Sequence, residues 1–146
     1  MKFGESLRRL LPGVWFGLLA AIAFITMPAA FHALDRVSAG ALARQVFAWE
    51  APVSLAFGAL LLVIERRAAL ERHLAAGTSQ FSVEMMLALG ALFCTIAGYY
   101  GLLPAMEALR AGGTASLGFG QLHMLGTAFF GAKGLIVLAL DWKALR

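Results

Sequence analysis

In a chain of 146 residues, 61% are hydrophobic and only 14% charged, with a mean hydropathy of +0.82. Soluble domains run near half apolar and about a quarter charged, so these values exclude an ordinary soluble core and point to a chain solvated mostly by lipid. The net charge of +4 and the pI near 9.8 do not call for nucleic acid as a partner. The basic residues are dispersed among short polar stretches, without a basic run or interleaved aromatics, as expected of span ends.

Four apolar stretches approach the ~20 residues needed to cross ~30 Å of hydrocarbon. The first runs from about Pro12 to Phe31 (12–31). Lys2, Arg8 and Arg9 precede it, as in a secretory signal, but the run is longer than a signal core and lacks a small-x-small cleavage site. It reads as an uncleaved span. The following segment, His32 to Gln45, is polar and rich in small residues, and is expected to be a loop carrying at most a short interfacial helix. The second span runs from about Val46 to Ile64 (46–64), with Glu50 and Pro52 in its first turns, which predicts a shallow start in the interface. Beyond it, Glu65, Arg66, Arg67, Glu71 and Arg72 read as a solvated helical extension. The third and fourth spans run from about Val83 to Leu103 (83–103) and Leu122 to Leu140 (122–140).

The expected fold is therefore all-α, a single transmembrane domain over residues 1–146 folded as an up-down-up-down four-helix bundle. Lys2, Arg8, Arg9, Arg66, Arg67, Arg72, Lys143 and Arg146 flank one side, against Arg36, Arg44 and Arg110 on the other. The positive-inside rule then places both termini in the cytoplasm of an inner-membrane protein. Lipid supplies no hydrophobic drive for helix association, so small residues must let backbones approach. Gly13, Gly17 and Ala21 mark such a face on the first span, Ser54 and Gly58 on the second, and Gly90, Cys94 and Gly98 on the third. Gly126, Gly131 and Gly134 form a looser set on the fourth.

Ionisable residues inside a membrane are functional candidates, because their burial is costly. Lys133 is the clearest, eight residues before Asp141 or ~12 Å along a helix. The favoured reading is a lysine snorkelling toward the cytoplasmic interface; the alternatives are facing the bundle, pairing with an acid such as Glu84, or lining a wet cavity. A second group gathers at the outer ends of the spans. Topology brings His32, Glu50 and His123 to one leaflet, near Met27 and Met124. Imidazole with carboxylate or thioether ligands suits a transition metal, and Met favours Cu(I). A buried Glu50–His123 hydrogen bond is preferred over that metal reading. The single Cys94 offers neither a disulfide nor a Cys-based metal site. No GxSxG, Walker, HExxH or CxxC motif occurs, so a conventional enzyme active site is not expected. The glycines around Gly112–Gly113 and Gly118–Phe119–Gly120 read as a flexible outer loop.

The order of short motifs resembles the bacterial members of the transmembrane-protein-205-like family, a domain of unknown function. The pieces are Val14-Trp15-Phe16-Gly17, Pro28-Ala29-Ala30-Phe31, Asp35-Arg36 with Ala39-Gly40, and Phe47 with Glu50. They continue with Gly98-Tyr99-Tyr100-Gly101-Leu102-Leu103-Pro104, Leu109-Arg110, and Phe119-Gly120-Gln121-Leu122-His123. The resemblance covers nearly the whole chain and implies a four-helix membrane domain with no established activity. Members often carry Ser three residues after the histidine, where this chain has Gly126. Its matched polar positions, including Asp35, Arg36, Glu50, Arg110 and His123, fall at the outer span ends. A more distant likeness is to copper-resistance proteins, which also combine Trp, Gly and His in compact bundles, and to four-helix haem-pathway membrane proteins, which Trp15-Phe16-Gly17, Pro28 and Phe31-His32 resemble.

The leading expectation is a non-enzymatic membrane protein without a cofactor, with a structural, small-solute or metal-handling role. Its partners would be the bilayer and either further copies of itself or a membrane complex. The alternative is a haem- or copper-linked redox protein using His32 and His123.

Overall fold

The computed structural model describes residues 3–146. Lys2, one of the residues in the orientation reading, lies outside them. Among the described residues the structure is all-helical, with four rods long and apolar enough to cross a membrane: Gly4–Ala33, Arg36–Ala76, Val83–Arg110 and Phe119–Ala144. Each contains the apolar stretch expected of it and extends beyond it.

The first rod comprises α1 (Phe3–Ala21), a widened π-helical turn (Ile22–Thr26) and α2 (Met27–Ala33). The third repeats this plan with α4 (Val83–Thr95), a π segment (Ile96–Gly101) and α5 (Leu103–Arg110). Both irregular segments stop just before a proline, Pro28 and Pro104. A proline inside a helix removes one backbone hydrogen bond and crowds the carbonyl four residues earlier. A wider turn at that point relieves the crowding without breaking the rod.

The second rod is one helix, α3 (Arg36–Ala76), of 41 residues. This corrects the expected loop over residues 32–45: the chain reverses within Leu34 and Asp35, and α3 is already running at Arg36. The carboxylate of Asp35 is the reason, since it accepts the backbone N–H groups of Val37 at 3.0 Å and Ser38 at 3.1 Å and so caps the new helix. At the far end α3 stops at Gly77, whose φ of +66° is the left-handed closing geometry that glycine adopts without strain. The charged segment after Ile64 is helical, as expected, but it is not solvated throughout: Glu65 is buried. The fourth rod is α6 (Phe119–Ala144), which begins inside the stretch read as a flexible loop. Its start is fixed by Gln121, whose Oε1 accepts the Gly118 N–H at 3.0 Å.

Neighbouring rods pack in the order first, second, third, fourth and back to the first, which leaves the second and fourth diagonally opposite. Trp15, Leu19, Leu61, Ala88, Ala91 and Val137 fill the centre. Glycine permits the closest approaches. A Cβ on Gly58 would lie 2.6 Å from Leu92 Cδ2, and one on Gly98 would collide with Phe129. Gly13 abuts Asp141 and Gly90 abuts Ile136. The packing faces read from sequence are thus incomplete, because a Cβ on Gly17, Gly131 or Gly134 would meet nothing within 4 Å. Those three turn outward.

Candidate functional site

Along α3 the buried positions Glu50, Ser54, Gly58, Leu61, Glu65 and Ala69 recur at steps of three and four, which is one face of a helix. That stripe points into the bundle, so Glu50 and Glu65 are carried inward together with the small residues that permit packing. On α6 the stripe Lys133, Val137 and Leu140 faces it from across the centre. The charged residues of both stripes are therefore buried by the same periodicity that buries their apolar neighbours.

Lys133 Nζ lies 2.6 Å from Glu50 Oε1. Both side chains are nearly sealed from solvent, at 4% and 3% exposure. Ser54, one helical turn from Glu50, donates its hydroxyl to the same carboxylate oxygen. Its oxygen accepts the indole N–H of Trp15 at 2.9 Å and stands 3.4 Å from the ammonium. One donor and two acceptor sites are all a hydroxyl possesses, so Ser54 is fully used. The ammonium also sits 5.0 Å from the centre of the Phe130 ring, whose negative face favours a cation. Trp15 stacks on Phe57 with centroids 6.0 Å apart.

The cluster is a neutral, internally hydrogen-bonded unit drawn from three rods. Its ion pair joins the second and fourth rods across the diagonal of the bundle. Among the described residues, the buried side-chain atom lacking a hydrogen-bond partner is Glu65 Oε2, which lies outside this unit. Such a pair acts chemically as a mutual neutraliser: each charge makes the other's burial tolerable.

The expected outer-leaflet cluster is not assembled in this form. Glu50 is not in the first turns of its helix: it lies fourteen residues into α3 and is only 4% exposed. Its partner is Lys133 rather than His123. Lys133 does not snorkel and does not meet Glu84, which pairs instead with Lys143 at 3.5 Å. His123 is exposed and stacks on Phe119 with centroids 6.5 Å apart, while the Arg110 guanidinium covers the same ring at 5.4 Å. His32 is exposed at the end of α2. Asp35 is the cap described above, and Arg36 is the first residue of α3. Met27 is half-buried and Met124 exposed. Among the described residues, no three His, Cys, Asp or Glu side chains are grouped so as to hold a metal ion.

Sequence reasoning identified Glu50 and Lys133 separately and missed their pairing, along with Ser54 and Trp15 as its partners. The signal was present on α3: Ser54 and Gly58 had been recognised as a packing face, and Glu50 precedes Ser54 by one turn on that face. The two π segments were also missed, although the prolines that follow them mark the positions.

A family model for a domain of unknown function, DUF4149, matches residues 10–115. That region carries Trp15, Glu50 and Ser54 and ends before Lys133. No curated protein and no solved structure matches the chain.

Proposed function

The chain belongs to the DUF4149 family, and we propose that it works as a non-enzymatic structural module of the inner membrane. Its narrower kinship would be with transmembrane-protein-205-like proteins, on the ordered motifs from Val14 to His123. The observation that carries the structural reading is the Lys133–Glu50 ion pair, sealed by Ser54 and Trp15. Helices in lipid gain nothing from hiding apolar surface against one another. A single diagonal charge pair with one geometric solution therefore fixes which faces meet and at what depth.

Two experiments test this reading. Glu50→Gln or Lys133→Met alone should greatly reduce the folded, monodisperse yield in mild detergent, and the double substitution should restore most of it. Single variants as well folded as the parent would refute the interlock. For orientation, reporter fusions at both termini should read cytoplasmic, in line with Arg8, Arg9, Arg66, Arg67, Arg72, Lys143 and Arg146 at one end. A reporter read outside at either terminus would overturn that placement.

A further inference from the structure

The end of the bundle where the first rod begins and the fourth finishes holds a cleft of about 220 Å³, lined by Glu5, Arg8, Arg9, Lys143, Ala144 and Arg146. Four of these six residues are cationic and one is acidic. The other carboxylates that engage the cations stand behind the cleft: Glu65 on the second rod takes Arg8 Nε at 2.6 Å, and Glu84 on the third takes Lys143 at 3.5 Å. Asp141 lies against Gly13, outside the lining. The contact with Glu65 engages Arg8 through Nε, and that with Glu5 engages Arg9 through one Nη at 3.0 Å. A guanidinium has five N–H donors in a fixed fork, so both retain donors for a further oxyanion.

The depth of the cleft is equally informative. Trp142 is 59% exposed, and Arg146 stacks on its ring at 5.0 Å. An exposed indole at a span end marks the headgroup level of a bilayer, so the cleft opens where lipid phosphates lie. Four cations against a single carboxylate in the lining make the cleft electropositive, which suits an anionic ligand.

We propose that this cleft binds the phosphodiester headgroup of an anionic glycerophospholipid, held by Arg9 and Arg146 with Arg8 and Lys143 beside them. Guanidinia suit this role because their paired donors fit phosphate oxygens, and basic pockets between span ends are a general means of lipid selection. The proposal does not depend on the interlock or on which leaflet this end faces.

The test reconstitutes the full chain in phosphatidylcholine bilayers with and without phosphatidylglycerol, and measures thermal unfolding and lipid retained in native mass spectra. A ligand bound only by the folded state raises Tm. Phosphatidylglycerol should raise it by about 2–4 °C and remain attached at one molecule per chain. Arg9→Gln/Arg146→Gln should remove the increment and the retained lipid, yet unfold like the parent in pure phosphatidylcholine. Arg9→Lys/Arg146→Lys, which keeps the charge but loses the fork, should retain only part of both. Equal Tm in the two bilayers would overturn the proposal, as would an increment surviving the glutamine variant. Inorganic phosphate reproducing the increment in phosphatidylcholine would assign the cleft to free phosphate and overturn the lipid assignment.

Discussion

The bundle contains two kinds of carboxylate–cation pair, and they differ in what surrounds them. At the centre, Lys133 and Glu50 are sealed, and Ser54, Trp15 and Phe130 complete their surroundings. At the end where the first rod begins and the fourth finishes, Glu84–Lys143 is looser, at 3.5 Å with the lysine 40% exposed. Arg8–Glu65 is intermediate, since the carboxylate is buried while the guanidinium is 35% exposed. The same chemical pairing therefore does different jobs. Water at the bundle end weakens the attraction and solvates either partner left alone. At the centre neither charge has another way to be stabilised, so the pair behaves as one object.

The comparison is sharpest when one partner is removed. Lys133→Met should cost about 3–5 kcal/mol of stability, because it leaves a buried carboxylate uncompensated. The Glu50→Gln/Lys133→Met double variant should be much closer to the parent than the sum of the singles, a coupling that a double-mutant cycle measures. Additive single effects would mean that the centre behaves like the periphery. Glu84→Gln should change stability by no more than about 1 kcal/mol, and the change should shrink as salt is raised. A large, salt-independent loss there would erase the distinction from the other side.

Asp35 extends the series to a carboxylate exposed to water. The Ser38 hydroxyl, with the backbone N–H groups of Ser38 and Val37, holds its carboxyl below the ordinary value of 3.8. A carboxyl whose pKa is lower folded than unfolded adds stability above the unfolded value and loses it as pH falls through the folded one. Its contribution should be constant near neutrality and disappear only below about pH 4. Asp35→Asn should abolish that acid-range slope in a pH series of unfolding curves while leaving α3 capped.

How much of this was legible differs from element to element. The long apolar runs announced four rods, and the small-residue sets announced close packing, rightly at Gly13, Gly58, Gly90 and Gly98 but not at Gly17, Gly131 or Gly134. The identity of the partners was not announced. Glu50 looks shallow in the sequence because it lies near the start of the apolar run. That placement fails because α3 begins at Arg36, one residue after the Asp35 cap. His123 looked like a partner because topology put it at the same end as the assumed position of Glu50. It lies outside the bundle, stacked on Phe119.

From composition and hydropathy alone, this chain was committed to lipid and to four helical crossings, because unbroken apolar runs of about 20 residues satisfy their backbone in lipid as helices. The one-turn spacing of Glu50 and Ser54 is also in the sequence, whereas the inward stripes that carry Glu50 and Lys133 are seen only in the structure. Only the tertiary structure decided that these two stripes face each other across the diagonal. That outcome depends on the rotation and axial offset of separate helices, which side-chain packing sets and which no single helix encodes.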